Sequence, residues 1–80
     1  MIEAVNLKRS GVVAGVPDLL LVADGRVSFL ELKQPRGRLS PVQAAAHAQL
    51  RRAGARVETS YGLDHAVEVL KRWGLVRGVV

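Results

Sequence analysis

Asp18, Glu31 and Lys33 are the residues of this 80-residue chain whose types and spacing can do chemistry together. Two carboxylates can hold a hard divalent cation, and an ammonium beside them adds positive charge where a nucleophile or a developing oxyanion would sit. Whether they meet depends on the turn between them. Residues 19–22 and 27–32 are strand-like runs on either side of Ala23-Asp24-Gly25-Arg26, and Asp-Gly between such runs is a strong hairpin signal. With Asp24 and Gly25 in the turn, residues whose numbers share one sum face each other, so Asp18 falls opposite Glu31, with β-carbons about 4.5–5.5 Å apart. Lys33, two residues further on, shares that face, while Leu30 and Leu32 turn the other way toward the core. Two like charges at this separation are destabilising unless a cation lies between them. Oxygen ligands favour magnesium or manganese, to which the backbone carbonyl of Leu32 can add a further donor. The same charges also admit a plain reading, in which Asp18 ends a loop, Glu31 pairs with Lys33 or Arg26, and Lys33 is solvated. Pro17 at the strand start and the apolar neighbours of Glu31 weigh against it.

The elements around the hairpin follow from patterning. Residues 2–7 read as a strand and 10–15 as a glycine-punctuated loop. Residues 34–39 carry Pro35 and Gly37 and must be loop. Ser40-Pro41-Val42-Gln43 then opens a helix with a side-chain cap, a first-turn proline and a capping-box glutamine. Its apolar stripe is Val42, Ala45, Ala46, Leu50 and Ala53, and Gly54 stops it. Residues 57–61 form a further strand. Leu63, Ala66, Val67, Leu70 and Trp73 recur at helical spacing before Gly74, so a second helix ends there, with Trp73 either in its core face or at an interface. Residues 75–80 are a short edge strand or a tail that docks on a partner.

Composition bounds the class. The chain is read as one α/β domain over residues 1–80, and a chain this short buries only about 60–65% of its unfolded surface, which makes a partner subunit plausible. No apolar run approaches the roughly 18 residues that span a bilayer, and no signal-like segment opens the sequence, so the expectation is a cytoplasmic protein without membrane contact. With no cysteine, any metal must be held by oxygen or imidazole. The net charge of +5, spread over Lys8, Arg9, Arg36, Arg38, Arg51 and others, is the footprint of a polyanion binder.

Gly15-Val16-Pro17-Asp18-Leu19, Phe29-Leu30-Glu31-Leu32-Lys33 and Gly37-Arg38-Leu39-Ser40-Pro41-Val42-Gln43 together resemble the VRR-NUC family of the PD-(D/E)xK nuclease superfamily, in order and spacing as well as residue type. The resemblance runs from Asn6 to about Trp73. It implies a restriction-endonuclease-like α/β core, a mixed sheet with a central hairpin flanked by helices, and metal-dependent hydrolysis of DNA. It further implies that Asp18 and Glu31 bind the metal, Lys33 positions or activates the attacking water, and Gln43 supports the site from the helix. Gln43 equally well serves as the capping-box partner of Ser40. His47 and Arg51 follow Gln43 at four-residue steps, a stripe that can face a DNA groove, although His47 reads foremost as a solvated helix residue. Arg36 and Arg38, on the loop after Lys33, are the leading candidates for phosphate contacts, joined by Lys8, Arg9 and Arg51. Family members usually open with a helix that gives the site another acid, whereas this sequence opens on a strand, and Glu3 there reads as a surface charge. Stand-alone members act as symmetric dimers on branched DNA, which makes a homodimer and a four-way junction the expectation. Two rival readings remain open: a non-cleaving DNA- or metal-binding remnant, and a subunit whose site a partner chain completes.

Overall fold

The computed structural model describes residues 2–7 and 14–75, so Lys8, Arg9 and the tail 76–80 lie outside the described residues. Four strands and two helices follow in the order β1 (Ile2–Asn6), β2 (Leu19–Ala23), β3 (Arg26–Lys33), α1 (Pro41–Arg52), β4 (Arg56–Tyr61) and α2 (Leu63–Arg72). The strands lie in sequence order in one sheet. β1, β2 and β3 make an antiparallel meander, and β4 joins β3 in parallel after the α1 crossover. This mixed α/β architecture is the one expected from the sequence.

The central hairpin has the anticipated register, Leu19 with Leu30 through Ala23 with Arg26. Asp24 and Gly25 have φ of 52° and 74°, the left-handed pair that a two-residue turn demands of a right-twisted hairpin. Alternation then sorts the sheet into two faces. Leu19, Leu21, Ser28 and Leu30 look toward α2, where Leu21, Leu30, Ala66 and Val69 form the buried core with Leu70, Trp73 and Leu75 packed against it. Phe29, Glu31, Lys33 and Val57 look toward α1. Arg56 on the α2 face donates to the Ser28 hydroxyl at 2.9 Å and lies 4.4 Å over the Trp73 ring, which explains why this tryptophan ends up in the core contact.

Three expectations change. The inward stripe of α1 is Gln43, Ala46, His47 and Leu50; Val42 is 58% exposed, and Ala45 and Ala53 face solvent. An alanine-rich helix has a weak apolar face, so contact with the sheet, not side-chain hydrophobicity, sets its rotation. Leu32 is 45% exposed instead of buried. Leu63, the first residue of α2, is 80% exposed, and Val69 takes its place at the centre of the helix contact. Among the described residues no helix is long and apolar enough to cross a membrane.

Candidate active site

The site starts from the loop that delivers Asp18. Gly15 has φ of +89°, and a β-carbon there would lie 2.8 Å from Val42 of α1, so only glycine lets this loop lie on the first helical turn. The buried Pro17 then sets the chain direction into β2. The β2–β3 ladder stops at Leu19 and Leu30, and one step further Asp18 sits in a bend with its carboxylate turned to the main chain of β3. Its Oδ2 accepts the Leu32 amide hydrogen at 2.7 Å, replacing the backbone acceptor that the ended ladder no longer provides. A simple cross-strand pair with Glu31 therefore becomes a latch onto the residue between Glu31 and Lys33.

Glu31 is fully buried, beneath α1. Its Oε1 lies 3.4 Å from Nε2 of His47, which is itself fully buried. A carboxylate only accepts, so a neutral His47 must carry its hydrogen on Nε2, leaving Nδ1 as a lone pair with no hydrogen-bond partner among the described residues. Burial holds the His47 pKa below its ordinary value, the nearby charges of Arg51 and Lys33 lower it further, and the Asp18 carboxylate opposes them. These interactions bring Asp18, Glu31, Lys33 and His47 to one end of the α1 face. His47 is the residue that sequence reasoning set aside as solvated; it stands one helical turn after Gln43, but no sequence signal marked that stripe as the inward one.

A sequence model of the VRR-NUC domain matches residues 1–64. The chain belongs to the VRR-NUC family. Among solved structures it is similar to a VRR_NUC domain protein at 26% identity and a TM-score of 0.72, over 90% of this chain and 66% of that one. A second structure, a VRR_NUC domain, matches at 24% identity and a TM-score of 0.74, over 90% of this chain and 78% of that one. Comparison with curated proteins finds no match. The sheet and helices are thus the restriction-endonuclease-like fold, and membership implies a nuclease-type function.

Within this VRR-NUC chain the remaining candidates separate by position. Gln43 completes the capping box: its Oε1 accepts the Ser40 amide at 2.9 Å while the Ser40 hydroxyl accepts the Gln43 amide at 3.1 Å. Of its two readings, the capping one is what the hydrogen bonds display. Arg51 is not free in a groove, since two of its nitrogens donate to the Val57 carbonyl at 3.3 and 3.0 Å and clamp the end of α1 onto β4. Arg36 and Arg38 are exposed on the loop after β3. Glu3 is exposed on β1. As to a metal, no three His, Cys, Asp or Glu side chains among the described residues cluster closely enough to cage an ion. A cage is not required for an ion such as magnesium, which takes one or two carboxylates and fills its other positions with water and substrate phosphate oxygens.

Proposed function

We propose that this VRR-NUC chain is a metal-dependent DNA endonuclease that hydrolyses phosphodiester bonds with Asp18, Glu31 and Lys33, and that it acts as a homodimer on branched DNA such as a four-way junction. The observation that carries the reading is the 2.7 Å latch of Asp18 on the Leu32 amide, which ties one acid to the strand bearing Glu31 and Lys33. Magnesium or manganese, when bound, supplies positive charge for the phosphate and an acidified water. Asp18 and Glu31 hold it, with the Leu32 carbonyl as the further protein donor. His47 is a positioning residue that fixes the Glu31 carboxylate. The Lys33 ammonium orients the attacking water and offsets the negative charge that grows on the phosphate oxygens. Arg36 and Arg38 grip backbone phosphates, and Lys8, Arg9 and Arg51 are further candidates for phosphate contacts.

The test is a cleavage panel of four-way junction, nicked and linear DNA with magnesium, manganese or calcium. Cuts that require magnesium or manganese, stop with EDTA and are fastest on the junction support the reading. DNA that is bound but left intact with every ion would make the chain a binding module and end the endonuclease reading.

A further inference from the structure

The chain has one phenylalanine, one tyrosine and one tryptophan. Phe29 is half-buried on the α1 face and Trp73 is covered by Arg56, which leaves Tyr61 as the aromatic side chain presented to solvent, 37% exposed. Its place is specific. Tyr61 is the register partner of Lys33 in the parallel β3–β4 pair, so the two residues are neighbours at the strand ends, their backbones one strand spacing of about 4.8 Å apart. The ring is also held. It stacks on His65 with centroids 6.1 Å apart and an interplanar angle of 19°, and His65 Nδ1 accepts the Tyr61 amide hydrogen at 3.0 Å. That hydrogen bond fixes His65 as the tautomer with its hydrogen on Nε2 and spares the pair the rotamer entropy that a loose aromatic would lose on binding.

The surroundings match the plane. At Gly62, next in the chain, a β-carbon would lie 3.3 Å from Pro35, so the loop that carries Arg36 and Arg38 is packed against the end of β4. A rigid aromatic plane beside flexible cations is the core of a single-strand nucleic-acid site, where bases stack on rings and arginines follow the backbone.

Resting on the nuclease reading above, we infer that Tyr61, backed by His65, is a stacking platform for an unpaired nucleobase next to the phosphate that Lys33 faces, so that the enzyme selects DNA carrying unpaired nucleotides over continuous duplex. A fully paired base keeps both π-faces against its neighbours and cannot use the platform. A base at a flap or a branch point has a free face to offer.

The experiment uses full-length wild type, Tyr61→Ala, Tyr61→Phe and His65→Ala in calcium, which permits binding without requiring cleavage. Two probes are compared: a flap with 2-aminopurine at the first unpaired position, and a fully paired duplex of equal length. Affinity is read by anisotropy and stacking by 2-aminopurine quenching. Tyr61→Ala should weaken flap binding about 5- to 100-fold, the range for losing one base-stacking ring, and abolish the quench. Duplex affinity should stay within about twofold, Tyr61→Phe should match wild type, and His65→Ala should fall between. Because Tyr61 keeps its backbone amide in every variant and is surface-exposed, melting temperatures should agree within a few degrees. Equal losses on flap and duplex, or quenching that survives Tyr61→Ala, overturn the platform alone. Failure of wild type to bind either DNA overturns the platform together with the nuclease reading.

Discussion

A carboxylate removed from water costs several kcal/mol unless charge and hydrogen bonds replace its hydration, and the His47 ring is one partner that meets this demand for Glu31. Glu31→Gln keeps a partner for His47 and removes a buried charge. Asp18→Asn keeps a carbonyl oxygen for the Leu32 amide. Both variants should therefore melt at or above the wild-type temperature while cleavage falls by more than the roughly 10- to 100-fold usual for residues that only support a metal ligand. A large drop in melting temperature with cleavage intact would show the acids to be structural. Lys33→Ala should lower kcat more than DNA affinity, since it is the cation that shares a strand face with Glu31. Arg36→Ala and Arg38→Ala should do the reverse, each weakening binding and flattening the log–log salt dependence by up to about one unit. Salt slopes equal to wild type would take the loop off the DNA. Asp18, Glu31 and Lys33 were legible because a two-residue turn converts sequence separation into register. His47 was not, because nothing along the chain states which side of an alanine-rich helix will meet the sheet.

Helix α1 is short of apolar anchors, so its start is held by hydrogen bonds. Ser40 and Gln43 satisfy two amides that a bare helix end would leave unpaired. Ser40→Ala should cost about 0.5–2 kcal/mol, and each kcal/mol lost is worth roughly 4–8 °C of melting temperature in a domain of this size. Gln43→Glu preserves the box and should leave both melting and cleavage close to wild type, whereas a cleavage loss at unchanged stability would restore a catalytic role to Gln43. The cap, the proline and the closing glycine are local signals that sequence reads well. The phase of the stripe is a tertiary property, as Val42 facing solvent and Gln43 facing inward make plain. The same holds for Leu32: alternation gives its face, and only tertiary packing decides whether that face is covered.

Over the whole molecule, the helices leave part of the sheet bare. β1 is exposed along its length, and Val5, Val22 and Val27 on the α1 face are 43%, 36% and 41% exposed. For a chain near the lower size limit of an independent core, this apolar strip fits the proposed homodimer. Sedimentation at micromolar concentration should give twice the chain mass, and Val5→Glu with Val22→Glu should return it to a monomer. A wild-type monomer that still makes paired cuts in a junction at nanomolar enzyme would refute the dimeric mechanism. The mixed sheet was expected from the family resemblance, and the order of the elements agreed with it. Its uncovered strip was not, since exposure is decided by where the helices stop. One further consequence belongs to β3, which is paired on both sides and has a helix over each face, while β1, among the described residues, is paired on one side only. Amides of β1 should exchange with solvent through local fraying, and those of Leu30 and Glu31 only when the whole chain opens. The first strand can breathe while the strand that carries the acid and the lysine stays still.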